Sequence, residues 1–164
     1  MVEINSKAPK FALTDSAGKT VSLSDFAGKW VVLYFYPRDN TPGCTNEACD
    51  FTETAPLYKK KNAVEIGVSR DSLESHNKFL DNYNLTIPLL SDPDLSVHKL
   101  YGAWGKKIQY GKETEGVIRS TFLISPDGIV VDKWEAIKVR VKRASGEVRH
   151  ADTVLDQLTK LTKK

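Results

Sequence analysis

Residues 30–44 read WVVLYFYPRDNTPGC and carry the strongest structural signal in the chain. The first seven are apolar, aromatic or β-branched, which predicts a strand, Trp30–Tyr36, that is buried on both faces. Pro37 ends this run, and a loop leads to Cys44, from which the pattern becomes helical. Sites in α/β proteins lie beyond the carboxyl ends of strands, so we expect the functional site in this loop.

The elements on either side of this stretch predict an α/β protein with a mixed central sheet. The other predicted strands are the two arms of an N-terminal β-hairpin (residues 11–14 and 20–23), Ala63–Ser69, an extended stretch at 87–90, and a second hairpin of Ser120–Ile124 and Ile129–Trp134. The predicted helices run from about Cys44, from Ser72 to about Tyr83, after Asp92-Pro93, and over Ala151–Leu161. This order predicts a parallel half and an antiparallel half, with helices on both faces of the sheet.

The spacing of apolar residues predicts the apolar faces of the helices, and glycine content predicts one loop. In the first helix Ala48, Phe51, Thr52, Ala55 and Tyr58 share a face, and in the second Phe79, Leu80 and Tyr83 are expected to face inward. Leu95, Val97 and Leu100 are the apolar residues of the third helix, and Val154, Leu155, Leu158 and Leu161 lie on one side of the last. Four glycines between Gly102 and Gly116 predict a loop there.

Composition excludes several classes of protein. The 164 residues suit one domain, and their net charge of +3 does not indicate a nucleic-acid binder. The longest apolar run, Trp30–Tyr36, is far shorter than the roughly 20 residues of a membrane-spanning helix. The N-terminal residues lack the pattern of a secretory signal, so we expect a cytoplasmic protein.

The two cysteines, Cys44 and Cys49, are the chemically distinctive residues. A cysteine in the first turn of a helix is stabilised as a thiolate by unpaired N–H groups and the helix dipole, and the thiolate is the nucleophile. On position alone, Cys44 is equally well explained as a small buried apolar residue. A disulfide between residues so close would stabilise little, which favours a catalytic or redox role for the pair.

The run from Pro37 to Cys44 has the form P-x-x-x-T-x-x-C and closely resembles the active-site motif of the peroxiredoxins. Cys49 adds the spacing of the peroxiredoxin Q, or bacterioferritin-comigratory-protein, branch. The resemblance continues in YFY at 34–36, YGAWG at 101–105 and RSTFLI at 119–124. It implies a thioredoxin-like fold, one domain of the AhpC/TSA type over residues 1–164, and reduction of peroxides by cysteine with no metal, haem or flavin cofactor.

The resemblance also assigns roles to residues around Cys44. Cys44 would attack the peroxide and become a sulfenic acid, and Arg119 would stabilise its thiolate. The Thr41 hydroxyl would bind the peroxide, and Pro37 would shield the sulfur from water. Each has a plainer alternative: Thr41 caps the helix, Pro37 ends the strand, and Arg119 is an exposed residue at a strand end.

Cys49 would be the resolving cysteine, which forms an intramolecular disulfide with Cys44. In an intact helix, residues five apart have Cα atoms roughly 8–9 Å from each other, whereas a disulfide needs about 4.4–6.8 Å. The first turns of the helix must therefore unwind, unless Cys49 is only a buried core thiol. The implied partners are a peroxide and thioredoxin or a similar dithiol protein, and we expect a monomer.

Other functions fit less well. A protein thiol–disulfide oxidoreductase of the same fold would carry C-x-x-C rather than C-x4-C. A holdase with idle cysteines leaves the motif unexplained, no zinc-site spacing is present, and a Cys-His hydrolase would need His98 beside Cys44. Basic residues alternate at Lys138, Arg140 and Lys142, which predicts a solvated strand face, with an acidic partner as the alternative.

Overall fold

The apolar run that begins at Trp30 forms an interior strand of a seven-stranded mixed sheet. The computed structural model describes residues 2–109 and 111–162. Within them the strands are β1 (Ala12–Asp15), β2 (Thr20–Ser22), β3 (Trp30–Phe35), β4 (Ala63–Ser69), β5 (Leu89–Ser91), β6 (Trp104–Gln109), β7 (Lys112–Val117), β8 (Ser120–Ile124), β9 (Val130–Trp134), β10 (Arg140–Arg143) and β11 (Gly146–Arg149). The helices are α1 (Pro42–Lys60), α2 (Leu73–Tyr83), α3 (Ser96–Tyr101) and α4 (His150–Thr162), with a 3-10 turn at Leu23–Phe26.

The sheet has the order β2-β1-β5-β4-β3-β8-β9. β3 pairs in parallel with β4, which pairs in parallel with β5, whereas β8 pairs antiparallel with β3 and with β9. The N-terminal hairpin joins the other edge, because β1 pairs antiparallel with both β2 and β5. The predicted α/β class, the mixed sheet and the N-terminal hairpin are therefore confirmed, and β4 and β8 have the predicted bounds.

Successive residues of β3 point to opposite faces, and each face has its own core. Val32 and Tyr34 pack with residues of α1, α2 and α4, whereas Val31, Leu33 and Phe35 pack with residues of α3 and the N-terminal segment. The sheet is thus covered by helices on both faces, as predicted. None of the helices within the described residues is long and apolar enough to cross a membrane.

Two predictions outside the central sheet are wrong or incomplete. The stretch from Gly102 to Gly116 holds the antiparallel hairpin β6–β7 rather than a loop; Tyr110 lies outside the described residues. Its β7 strand is mostly exposed, so no apolar alternation marks it as a strand. The basic strand expected near Arg140 is β10, which pairs with β11 in a second small hairpin.

The buried faces of the helices also differ in detail from the spacing. In α1, Thr54 is buried, whereas Thr52 and Ala55 are only half-buried. Tyr83 was expected to face inward but is exposed, as are Leu100 and Leu161, and each of the three lies at or near the end of its helix.

Candidate active site

Cys44 lies at the start of α1, where the chain leaves the carboxyl end of β3. Thr41 precedes the helix with extended backbone angles (φ −83°, ψ 153°), and Pro42 is the first helical residue, where its missing N–H costs nothing. The first backbone hydrogen bond of the helix runs from the Thr45 N–H to the Thr41 carbonyl, 2.8 Å. The N–H groups of Gly43 and Cys44 precede this bond, so they remain available to an anion beside the sulfur.

The Cys44 sulfur is almost completely buried and is contacted by an arginine. Arg119 lies just before β8, and its Nη2 donates to the Cys44 Sγ at 3.3 Å. Gly43 permits this approach, because a Cβ at Gly43 would lie only 3.2 Å from the same nitrogen. Arg119 is therefore not an exposed strand-end residue, and a charge-assisted hydrogen bond of this kind favours the thiolate.

Glu47 is a member of the site that the sequence reasoning missed. The Arg119 Nη1 donates to the Glu47 Oε1 at 2.6 Å, so one guanidinium bridges the thiol and this carboxyl. Glu47 is fully buried on α1, and its Oε2 has no hydrogen-bond partner within the described residues. Burial raises its pKa to about 7, although the charge of Arg119 opposes the shift. A glutamate three residues after Cys44, on the same helix face, was the available signal.

Thr41 and Pro37 lie in the loop between β3 and the start of α1, a few residues before Cys44. The Thr41 hydroxyl donates to the Arg38 carbonyl at 2.9 Å and makes no hydrogen bond that caps α1, so the capping alternative does not describe it. Since its hydrogen is used in this way, its oxygen keeps acceptor capacity. Pro37 is half-buried, and Arg38 is exposed to solvent, as expected.

The loop that carries these residues is anchored to α2 by Asp39, which is buried. The Asp39 carboxylate accepts hydrogen bonds from the Tyr36 hydroxyl at 2.6 Å and the Ser75 hydroxyl at 2.9 Å, and it lies 2.7 Å from the His76 Nδ1. The His76 Nε2 is 3.0 Å from the Leu90 carbonyl, so both ring nitrogens face acceptors. This cluster, which sequence reasoning did not identify, fixes the position of the loop between β3 and α1.

Cys49 has a different environment from Cys44, although both are free thiols in one helix. It is half-buried, and burial together with the neighbouring Asp50 carboxylate raises its pKa, while Arg140 opposes the shift. Because α1 is continuous from Pro42 to Lys60, the two cysteines keep helical spacing. Their sulfurs cannot join until part of the helix unwinds.

The histidines make hydrogen bonds with residues other than Cys44, which argues against a Cys-His hydrolase. The His98 Nδ1 lies 2.6 Å from the Asp92 Oδ2, and the His98 ring packs on Phe35, in the core on the other face of the sheet from Cys44. The His150 Nε2 lies 2.9 Å from the Thr121 hydroxyl, and burial lowers the pKa of His150 to about 4. Within the part of the chain that the structure describes, no group of acidic, histidine and cysteine side chains is arranged to hold a metal ion.

Comparison with known proteins gives consistent matches. Residues 4–133 match the AhpC/TSA family. Peroxiredoxin Bcp of Bacillus subtilis is 46% identical over 139 residues, which cover 85% of this chain and 88% of that protein. Peroxiredoxin Bcp of Xanthomonas campestris is 42% identical over 146 residues, 89% of this chain and 86% of that protein.

Solved structures that superpose on this chain belong to similar proteins. A structure on the alkyl peroxide reduction activity of the Xanthomonas campestris bacterioferritin comigratory protein superposes with a TM-score of 0.82 at 40% identity, covering 93% of this chain and 92% of that one. A mutant of PrxQ from Xylella fastidiosa superposes with a TM-score of 0.89 at 35% identity, covering 99% of both chains.

Proposed function

The chain belongs to the AhpC/TSA family and is a thiol peroxidase, a peroxiredoxin of the Bcp or peroxiredoxin Q type with a thioredoxin-like fold, and on this premise we propose that Cys44 is the residue that attacks the peroxide. The observation that carries the proposal is the 3.3 Å contact between the Arg119 guanidinium and the Cys44 sulfur. Together with the start of α1, it places positive charge on both sides of this thiol.

In the first step the Cys44 thiolate attacks one peroxide oxygen and the O–O bond breaks. The sulfur becomes a sulfenic acid, and the other oxygen leaves as hydroxide or alkoxide, which takes up a proton to become water or an alcohol. The proton balances the one that Cys44 released on ionisation. Arg119 and the N–H groups of Gly43 and Cys44 stabilise the charge that develops between the two oxygens.

Thr41 and Pro37 prepare the substrate's position. The Thr41 oxygen, with its hydrogen directed at the Arg38 carbonyl, accepts a hydrogen bond from the HO–O group and orients it toward the sulfur. Pro37 has no N–H to compete for the thiolate, and its ring shields the buried Cys44 sulfur from water. Lys107 of β6 is a further cation near Cys44. Burial and the charge of Arg119 lower the pKa of Lys107, whereas the charge of Cys44 opposes that shift.

Cys49 then resolves the sulfenic acid. Its thiolate attacks the Cys44 sulfur, a disulfide forms as the S–O bond breaks, and the hydroxyl of the sulfenic acid leaves as water after taking up the proton that Cys49 released. Helical spacing prevents this reaction in the intact helix, so the start of α1 unwinds between the two steps. A dithiol protein of the thioredoxin type then reduces the disulfide and is itself oxidised, which returns both thiols.

We propose hydrogen peroxide and organic hydroperoxides as substrates. Cys44 belongs to an apolar core cluster, which favours a substrate with an apolar group, and a relative from Xanthomonas campestris has alkyl peroxide reduction activity. We also propose that residues 1–164 act as one monomeric domain in the cytoplasm, where thioredoxin-type reductants keep thiols reduced.

The test is a coupled assay in which thioredoxin, thioredoxin reductase and NADPH supply electrons, with hydrogen peroxide and cumene hydroperoxide as substrates. We expect NADPH oxidation that depends on peroxide, and peptide mapping of the oxidised protein should give a Cys44–Cys49 disulfide within one chain. Reduction of insulin disulfides without peroxide consumption would instead assign the chain to the protein thiol–disulfide oxidoreductases.

A further inference from the structure

The small hairpin β10–β11 lies outside the central sheet, yet it is joined to α1 by ion pairs. The Arg140 Nε and Nη2 donate to both carboxylate oxygens of Asp50, at 3.0 and 2.7 Å, and the Arg149 Nη1 lies 3.6 Å from the same carboxylate. We call these three residues the Asp50 clamp. Asp50 is only 2% exposed, so its charge depends on these arginines.

The clamp extends to α4. Arg149 also donates to both carboxylate oxygens of Asp152, at 2.8 and 3.1 Å, and to Glu53 at 3.0 Å. A further tie is the Tyr58 hydroxyl, which donates to the Ala151 carbonyl at 2.7 Å. From Asp50 onward, α1 is therefore bound to the hairpin and to α4 through charged and buried contacts.

The clamp begins at the residue that follows Cys49, and this position gives it a role in the reaction. Resting on the proposed function, we infer that the Asp50 clamp is the fixed end of the unwinding that joins Cys44 to Cys49, and that Arg140 is a positioning residue for the resolving step. Residues 42–49 leave the helix on oxidation, whereas α1 from Asp50 onward stays in place.

The physical reason is the cost of moving Asp50. Unwinding through Asp50 would break the bidentate ion pair between Arg140 and Asp50 and leave a buried carboxylate unpaired. Unwinding that ends at Cys49 leaves the clamp intact. Cys49 then stays attached to rigid helix, and only the short segment that bears Cys44 has to search for it. Arg140 also offsets the Asp50 charge beside Cys49, which helps that thiol to ionise.

The test compares Arg140→Ala with Arg143→Ala, which removes the same charge from an exposed position in the same strand. Arg149 still faces Asp50 in the first variant, so its carboxylate keeps a cation. Stopped-flow fluorescence with hydrogen peroxide separates the attack on peroxide from disulfide formation. We expect Arg140→Ala to slow disulfide formation roughly three- to tenfold and to increase over-oxidation of Cys44, with an unchanged rate of attack. Arg143→Ala should match the wild type in both steps.

Arg140→Lys keeps the charge but cannot make the bidentate contact with Asp50. Its rate of disulfide formation should lie between those of the wild type and Arg140→Ala. If circular dichroism shows that Arg140→Ala is unfolded, Arg140→Lys is compared with Arg143→Ala instead. Faster disulfide formation in Arg140→Ala would overturn the inference, because the clamp would then restrain the unwinding. A rate equal to that of Arg143→Ala would overturn it as well.

Amide exchange of the wild type gives an independent test. In the disulfide form, exchange should increase over residues 43–53, because the N–H groups of residues 50–53 lose the carbonyls of residues 46–49, and it should stay low from Thr54 to Tyr58. An increase that continues past Thr54 would contradict a fixed end at Asp50. The absence of any rapid peroxide-dependent step in the wild type would instead count against the proposed peroxidase site, so the two failures are distinguishable.

Discussion

Two neighbouring turns of α1 each combine a cysteine, a buried carboxyl group and an arginine from elsewhere in the chain. The hydrogen bonds that the arginine makes differ between the two turns. In the Cys44 turn, Arg119 divides its donors between the sulfur and Glu47. In the Cys49 turn, Arg140 donates to Asp50 through Nε and Nη2, and no hydrogen bond links it to the sulfur within the described residues.

This difference indicates that a nearby cation does not by itself make a cysteine nucleophilic. Arg119 donates directly to the Cys44 sulfur, whereas Arg140 only partly offsets the Asp50 charge beside Cys49, whose pKa stays raised. The arrangement suits a reaction in which one cysteine attacks first and the other waits for a structural change.

Exchanging the cysteines for serine should have the largest effect and separates the two turns most sharply. Cys44→Ser should abolish peroxide consumption, because serine is not ionised at neutral pH and cannot form a sulfenic acid. Direct measurement of peroxide consumed in a single turnover shows this loss, with Cys49→Ser, which keeps the first step, as the matched control. Activity in Cys44→Ser above a trace would place the nucleophile outside the Cys44 turn.

Cys49→Ser should keep the first step and lose the second. We expect one turnover of peroxide at the wild-type rate, followed by loss of thioredoxin-dependent turnover, because no thiol of the same chain remains to form the disulfide. Mass spectrometry should find sulfenic, then sulfinic acid at Cys44. Undiminished turnover with resistance to over-oxidation would make Cys49 an ordinary core thiol.

Arg119→Ala should have the next largest effect, since it removes the contact that distinguishes the Cys44 turn. Loss of a charged hydrogen bond of about 1.5–3 kcal/mol should slow the attack on peroxide roughly ten- to a hundredfold. The rate of Cys44 alkylation at pH 7 should fall as well, because less thiolate is present. Arg38→Ala, at an exposed position of the adjacent loop, is the control and should keep the wild-type rates.

The smallest effect concerns the carboxyl group of the Cys44 turn. The folded protein raises the pKa of Glu47 to about 7, so it holds this proton above the pH at which the unfolded chain releases it. The stability that Glu47 contributes is therefore present at low pH and is lost as the pH rises from about 4.5 to 7. Relative to Glu47→Gln, the free energy of unfolding of the wild type should decline by up to about 1.4 kcal/mol per pH unit in this window. Urea unfolding at several pH values measures the difference, and a difference that does not vary between pH 5 and 7 would contradict the raised pKa.

The sequence predicted what depends on local pattern. The apolar run from Trp30, the helix that carries Cys44 and the strand that starts at Ser120 each reflect short-range signals, and motif resemblance led to Arg119. The exposed hairpin from Trp104 to Val117 was missed, because it has no buried face and hence no alternation of apolar residues.

Contacts between distant residues explain the rest of what was missed. His76 lies 37 residues from Asp39, and Arg140 lies 90 residues from Asp50, so no spacing rule connects them. Charged residues in such positions are most often solvated, and only the fold shows that Asp39, Glu47 and Asp50 are buried. The sequence therefore indicated which sulfur reacts, but not the carboxyl groups that surround the two cysteines.

Arg119 follows Cys44 by 75 residues, and this separation bears on how the chain is synthesised. A ribosome adds about 5–20 residues per second, so about 4 to 15 s pass between the addition of the cysteine and that of its arginine. Throughout that interval the nascent chain carries both cysteines without the cation that activates the first. The full rate of reaction with peroxide therefore arises only when β8 pairs with β3, so the thiols of a partly made chain react with peroxide more slowly than those of the folded protein.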